Sequence, residues 1–217
     1  MKFKLVFAAA ALAASGLAQS ATIDWNTWTS NSTGTIDSTS VTTTFTGQTN
    51  LGWYASYPSW APGGTYADGT VVANGPSSTN GIVVLNGGNT NVQTITFSTP
   101  VVDPVMAIWS LGQGGIDASF DFTNATPVFV AGGVSVEYGG SSIVVSGSDV
   151  SGSEGNGTVQ FIGTYSSISW TNPTFENWYG FDVGVAGVSA VPEPGSMVLL
   201  LAGLTLVGLA ARRRQKR

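Results

Sequence analysis

The sequence predicts an all-β fold, a single antiparallel β-sandwich of jelly-roll-like form. Short segments in which apolar and polar residues alternate recur roughly every 8–12 residues along the body of the chain. Turn-forming residues separate these segments, and the chain of 217 residues contains 29 glycines. No segment between the two termini has the 3.6-residue periodicity of an amphipathic helix. These observations favour one β-domain over residues 22–187.

Three segments alternate most clearly, residues 116–122, 134–138 and 181–185. The side chains predicted to share one face of their strand are Ile116, Ala118, Phe120, Phe122, Val134, Val136, Tyr138, Phe181, Val183 and Val185. The acids between them, such as Asp121 and Asp182, are expected to face solvent. Further candidate strands begin at Val41, Ile82, Val92, Val105, Ile143, Thr158 and Ser166. About ten strands of this length suit a sandwich.

The charges are distributed very unevenly. All seven basic residues lie near the termini, namely Lys2, Lys4, Arg212, Arg213, Arg214, Lys216 and Arg217. Residues 22–190 hold eleven acids and no Lys, Arg or His, so their formal charge is −11 and no side-chain salt bridge can form among them. Such a domain repels nucleic acid and anionic membranes, so no nucleic-acid partner is expected.

The residue types that are missing exclude most catalytic machinery. The chain has no Cys and no His, which rules out catalytic triads, thiolate zinc sites and disulfides. Without Lys in the body, neither Schiff-base chemistry nor a P-loop can be built there. Carboxylate chemistry remains, and the only glutamates of the body are Glu137, Glu154 and Glu176. The prediction is a protein without enzymatic activity. The less favoured alternative, a glycoside hydrolase, requires at least two of these glutamates to share a cleft.

A turn-rich stretch concentrates large aromatic residues. Its members are Trp53, Tyr54, Tyr57, Trp60 and Tyr66. Flat rings on loops can stack on sugars, which makes these residues candidates for a lectin-like carbohydrate-binding platform. Small sandwiches also close their ends with Trp and Tyr, and this core-closing role is the favoured interpretation.

A glycine-rich loop that begins at Asp149 carries oxygen ligands suited to calcium, including Glu154 and Asn156. It lacks the repeated Asp of an EF-hand, and its spacing also suits a hairpin turn. No cofactor is therefore expected, with Ca²⁺ at Asp149, Glu154 and Asn156 as the alternative.

The first 21 residues have the organisation of a secretory signal peptide. Lys2 and Lys4 precede an apolar run from Leu5 to Ala14, which small residues follow. This order is typical of chains that the Sec translocon exports, with cleavage expected between Ala18 and Thr22.

The C-terminal segment combines three features in a fixed order. A linker over residues 188–196 contains Pro192, Glu193 and Pro194, and an uncharged run of 15 residues follows over 197–211. A helix of that length rises about 22 Å, a marginal span for a hydrocarbon layer of about 30 Å. The basic residues of 212–217 are expected to stay in the cytoplasm. One transmembrane helix with a basic cytoplasmic tail is predicted.

This tail closely resembles the PEP-CTERM sorting signal of Gram-negative bacteria, which is also catalogued as an ice-binding-protein C-terminal domain. The resemblance implies that Pro192, Glu193 and Pro194 form the sorting motif. It also implies that Arg212, Arg213, Arg214, Lys216 and Arg217 act as a basic stop and that an exosortase-type membrane enzyme is the partner. The chain would be an inner-membrane precursor, later found at the cell surface or in the extracellular polysaccharide matrix of a biofilm. Residues 105–185 look like a body region common among such substrates, which carries no assigned activity.

Overall fold

The computed structural model describes residues 21–48, 52–57 and 60–186, and its strands join in one 14-stranded, mainly antiparallel sheet. The strands are β1 (Ile23–Trp25), β2 (Thr27–Trp28), β3 (Thr33–Ile36), β4 (Val41–Thr46), β5 (Gly52–Tyr54), β6 (Ile82–Val102), β7 (Val105–Leu111), β8 (Ala118–Phe122), β9 (Pro127–Gly132), β10 (Ser141–Ser142), β11 (Val144–Ser146), β12 (Asp149–Gly152), β13 (Gly155–Phe161) and β14 (Thr164–Ala186). The helical segments are Asp37–Thr39, Gly63–Tyr66 and Ser78–Asn80. The all-β prediction is confirmed, and the jelly-roll-like sandwich stays a prediction.

The predicted signal peptide, sorting motif, transmembrane helix and basic tail fall within residues 1–20 and 187–217, apart from Ala21. These two ranges lie outside the described residues. Within the described ranges, no helix has both the length and the apolar character that crossing a bilayer demands.

The longest path through the sheet runs β10-β13-β7-β14-β6-β4-β3-β2, so β7 and β14 are central. β14 extends over 23 residues and is strongly bent. The rings of Trp170 and Phe181 lie 5.2 Å apart between centroids, although the two residues are eleven positions apart in the strand. In a straight strand that separation would be about 36 Å. The two halves of β14 therefore face each other across the core.

The sheet buries apolar side chains on both faces. Along β7, Met106 and Ile108 pack into the main core, whereas Ala107 and Trp109 pack into a second core on the opposite face. Strands buried on both faces read as continuous apolar runs, as β7 does. The second core also contains Trp60 and Tyr66, which come from the segment between β5 and β6.

Two of the three alternating segments form the predicted strands. The inward side chains of β8 are buried, as predicted for Ala118, Phe120 and Phe122, and so are Phe181, Val183 and Val185 of β14. The prediction that Asp182 faces solvent is wrong, because its side chain is fully buried. Its Oδ1 accepts a hydrogen bond from the Trp28 indole N–H at 2.8 Å. The prediction that Ile116 faces inward is also wrong, because Ile116 lies before β8 and is exposed.

The prediction for residues 134–138 is wrong. This segment is a loop closed by an isolated bridge between Ser135 and Gly139. Val134, Val136 and Tyr138 are exposed while Ser135 is buried, the reverse of the usual order. Glycines border the loop on both sides, and Gly139 has a φ of +68° that suits a turn rather than a strand. The apolar alternation does not determine the structure here.

Candidate functional site

A cavity of about 250 Å³ opens where three neighbouring strands of the sheet come together. It is lined by Ser110, Gln113, Tyr138, Glu154, Glu176, Asn177 and Trp178. Ser110 lies near the end of β7, and Glu154 directly precedes β13, which pairs antiparallel with β7. Glu176, Asn177 and Trp178 of β14 directly precede Tyr179 and Gly180, and Gly180 pairs with Trp109 of β7. Antiparallel pairing thus brings residues distant in sequence to the same end of the sheet.

A bulge in β7 lies beside this cavity. Gly155 pairs with Leu111 and Gly157 pairs with Ile108, so two steps along β13 match three steps along β7, and Trp109 and Ser110 lie opposite Asn156. The buried Asn156 side chain supplies the missing partner, since its Oδ1 accepts a hydrogen bond from the Ser110 N–H at 2.9 Å. Its Nδ2 donates to the Glu154 carbonyl oxygen at 2.9 Å. Asn156 therefore braces β7 against the start of β13.

Two residues of the cavity wall have unusual backbone conformations. Ser110 has a φ of +54° and Glu154 a φ of +58°, a region that costs non-glycine residues about 1–3 kcal/mol each. The Ser110 hydroxyl donates a hydrogen bond to the Glu154 carboxylate. Residues in such conformations persist only where the surrounding structure imposes them, and they concentrate at functional sites. Both side chains face the same cavity.

An irregularity in β14 supplies the other acidic group. Phe175 pairs with Gly87 and Tyr179 with Leu85, so four steps along β14 match two steps along β6. The extra residues leave the regular ladder, as in a β-bulge. The side chains of Glu176, Asn177 and Trp178 consequently line the cavity.

Glu176 is only 3% exposed. Its Oε1 accepts a hydrogen bond from the Trp178 N–H at 3.1 Å, but its Oε2 is buried without a hydrogen-bond partner. Burial is the main cause that raises the pKa of Glu176 to about 8; the negative charge of Glu154 also raises it, whereas the backbone N–H groups of Trp178 and Gly112 lower it. No Lys, Arg or His occurs in residues 21–186, so no basic side chain there lowers this pKa. Glu176 is therefore mostly protonated at neutral pH.

Aromatic rings form another part of the wall. The rings of Tyr138 and Trp178 lie 6.2 Å apart with an interplanar angle of 80°. Trp109 lies behind both rings, 5.0 Å from Trp178 and 5.6 Å from Tyr138. Tyr138 is 49% exposed. Next to these rings, the Asn177 Nδ2 donates a hydrogen bond to the Gln113 Oε1 at 3.1 Å. The cavity thus combines apolar ring surface with carboxyl, amide and hydroxyl groups.

The five aromatic residues considered for a sugar platform do not lie together on the surface. Tyr57, Trp60 and Tyr66 are buried in the second core, where the Trp60 indole N–H donates to the Gly81 carbonyl oxygen at 2.9 Å. Trp53 packs partly buried against the main core, and Tyr54 is partly exposed. This corrects the platform hypothesis, because buried rings offer no face to a sugar. Packing in or against the two cores accounts for four of the five aromatic residues, namely Trp53, Tyr57, Trp60 and Tyr66.

The three body glutamates behave differently. Glu154 and Glu176 line the same cavity, whereas Glu137 does not line it. The Glu137 Oε2 instead accepts a hydrogen bond from the Tyr57 hydroxyl at 3.2 Å. The structural condition that the acid-pair hypothesis sets, two glutamates in one cleft, is met.

The residues of the calcium hypothesis are not gathered around one point. Asp149 is exposed on β12, where its Oδ1 accepts a hydrogen bond from the Ser148 hydroxyl at 3.1 Å, and it does not line the cavity. The Asn156 Oδ1 accepts the Ser110 N–H. Among the residues that the structure describes, no group of three acids could hold a metal ion.

Several residues of the cavity were missed by sequence reasoning, namely Ser110, Gln113, Tyr138, Asn177 and Trp178. One signal was available, because Glu176 and Asn177 stand between the aromatic residues Phe175 and Trp178. Polar residues at such a point indicate either a bulge or a site.

A family model described as the PEP-CTERM protein-sorting motif matches residues 190–214. Neither the curated proteins nor the solved structures contain a match to the chain. The matched segment includes Pro192, Glu193 and Pro194 and lies beyond the β-domain. The chain therefore carries a PEP-CTERM sorting motif, the signal of an exported protein that an exosortase processes at the membrane.

Proposed function

We propose that this chain is a cell-surface or extracellular-matrix protein of a Gram-negative bacterium whose domain acts without catalysis. The observation that carries the proposal is the sorting motif at residues 190–214. The Sec translocon exports the precursor, and residues 197–211 hold it in the inner membrane until the exosortase cuts the tail. The freed domain then joins the extracellular polysaccharide.

The charge of the domain supports this location. Residues 22–190 carry eleven acids and no bases, so the freed domain is repelled by anionic lipid surfaces. Detachment from the membrane therefore requires only that the tail be removed.

Immunoblots of membrane and medium fractions, from strains with and without the exosortase, test this proposal. The expected result is a shorter, released form that disappears in the strain without the enzyme. Glu193→Ala should block processing, whereas Glu137→Ala makes the same change outside the motif and should not. Identical size and location in both strains would refute the proposal.

A second candidate function is a carboxylate-dependent glycoside hydrolase. The presence of Glu154 and Glu176 in one cavity favours it. Glycosidases pair a proton-bearing carboxyl with a charged one. Glu176, with its raised pKa, suits the general acid, and Glu154 suits the nucleophile or base.

This candidate is tested by incubating the exported protein with the polysaccharide of its own cells and measuring new reducing ends. A hydrolase loses this activity in both Glu154→Gln and Glu176→Gln and keeps it in Asp149→Asn, which changes an exposed acid outside the cavity. No reducing ends above a blank without protein would exclude cleavage of that polysaccharide.

A further inference from the structure

We propose that the cavity lined by Glu154 and Glu176 binds one neutral saccharide ring, which stacks on Trp178, lies beside Tyr138 and hydrogen-bonds to Glu176. This inference goes beyond the sorting function, and it holds whether or not the bound sugar is cleaved.

One carboxyl oxygen of Glu176 lacks a hydrogen-bond partner. Its Oε2 is buried, belongs to a residue that is 97% buried and has no hydrogen-bond partner. An unsatisfied buried polar group destabilises the folded state, and native proteins seldom retain one without a reason. Because Glu176 lines the cavity, a ligand hydroxyl can complete its hydrogen bonding. A protonated carboxyl donates to such a hydroxyl.

The rings of Tyr138 and Trp178 form an aromatic wall whose shape suits a sugar ring. A pyranose ring has an apolar face made by its axial C–H groups and an edge made by its hydroxyls. Tyr138 and Trp178 stand nearly perpendicular, so one ring can cover the face of a sugar while the other borders it. Trp109 packs against both rings and limits their movement, and a site fixed in advance binds at lower entropic cost.

Polar groups lie beside the aromatic rings and can hydrogen-bond to the hydroxyls of a sugar. The side chains of Gln113, Asn177 and Ser110 line the cavity together with the two carboxyls. Amide and hydroxyl groups both donate and accept hydrogen bonds, as sugar hydroxyls do. The volume of about 250 Å³ is below the usual range of about 300–1,000 Å³ for larger ligands. One sugar ring, rather than a long segment of polysaccharide, suits this space.

Charge distinguishes a neutral ligand from an ionic one. With eleven acids and no base in residues 22–190, the domain repels anionic ligands. A calcium ion takes six to eight oxygen ligands, several of them anionic. Only two carboxyl groups line this cavity, and that of Glu176 is mostly protonated at neutral pH.

The test uses the exported protein and titrates it with glucose, galactose, mannose and N-acetylglucosamine, with tryptophan fluorescence and calorimetry as readouts. At least one sugar should bind at pH 6 with a Kd of about 1 mM, common for a small ligand. Binding should be about tenfold weaker at pH 9, because only the protonated fraction of Glu176 is competent.

Three variants separate a site from a structural role, with folding checked by circular dichroism. Trp178→Ala should weaken binding about tenfold or more, since the sugar loses the ring on which it stacks. Glu176→Gln keeps a hydrogen-bond donor but cannot ionise, so it should bind at pH 6 and lose the pH dependence. Asp149→Asn removes an exposed charge outside the cavity and should bind like the unchanged protein.

The proposal is overturned if none of the four sugars binds at pH 6, or if Trp178→Ala binds as well as the unchanged protein. A response to calcium chloride alone, without any response to sugar, would also overturn it and identify a cation site. Failure of tail processing is scored separately by the immunoblot, so the two proposals fail independently.

Discussion

The stability of the domain should fall as the pH rises, and Glu176→Gln should remove a large part of this dependence. Burial and the charge of Glu154 raise the Glu176 pKa from its ordinary value of 4.5 to about 8. The folded state therefore holds this proton more tightly than the unfolded chain does. The contribution of Glu176 to stability is complete below about pH 4.5 and is lost as the pH rises through about 8.

The magnitude follows from the two pKa values. A difference of about 3.5 corresponds to about 5 kcal/mol, an upper value because the cavity opens to solvent. That is large beside a typical total stability of about 5–15 kcal/mol. Asp182 acts in the same direction, because burial raises its pKa well above the ordinary value. Besides Glu154, Tyr179 is the titratable group coupled to Glu176, and its own pKa is raised by burial.

Urea unfolding followed by tryptophan fluorescence at pH 5 and pH 9 measures the effect. The unchanged domain should lose several kcal/mol of unfolding free energy between these pH values, and Glu176→Gln should lose much less. Asp149→Asn, with an exposed side chain, should keep the full dependence. Stability that rises between pH 5 and pH 9, or an unchanged dependence in Glu176→Gln, would refute this reasoning.

Three further predictions concern the acidic charge of the domain, the hydrogen bonds of the Asn156 side chain and the backbone conformation at Gly112. Added NaCl should raise the melting temperature, because it screens repulsion among the eleven acids of residues 22–190, which hold no basic residue; a melting temperature that falls from low to moderate salt would contradict this. Asn156→Ala should cost about 2–3 kcal/mol in urea unfolding, because the buried Ser110 N–H loses its acceptor; a cost near zero would exclude the bracing role. Gly112→Ala should cost about 3 kcal/mol or more, because Gly112 has a φ of +78° and an added Cβ would collide with the Gly152 carbonyl oxygen. Melting curves like those of the unchanged domain would show that the backbone tolerates this change.

Strands whose alternation coincides with burial were predictable from the sequence. The inward residues of β8 and the inner face of β14 around Phe181 follow the period-2 pattern. Residues 134–138 show the same pattern without a partner strand, so alternation alone was insufficient. Burial of Asp182 depends on Trp28, a hydrogen-bond partner 154 positions away, which no local pattern indicates.

The cavity was less predictable because it depends on irregular pairing. Ser110 and Glu176 are 66 positions apart, and Glu154 lies between them. They meet because β7, β13 and β14 are neighbours and because β7 and β14 each carry a bulge. Sequence reasoning identified Glu154 and Glu176 as two of three glutamates suited to acid chemistry. The sequence did not indicate which of the three glutamates would line the same cavity.

The intact mass of the protein recovered from outside the cell tests most directly whether the tail is a removable membrane anchor. We expect a mass that lacks residues 197–217, and we expect this shortened protein to be absent from the medium of cells without the exosortase. A released protein whose mass still includes the arginines of residues 212–217 would contradict it.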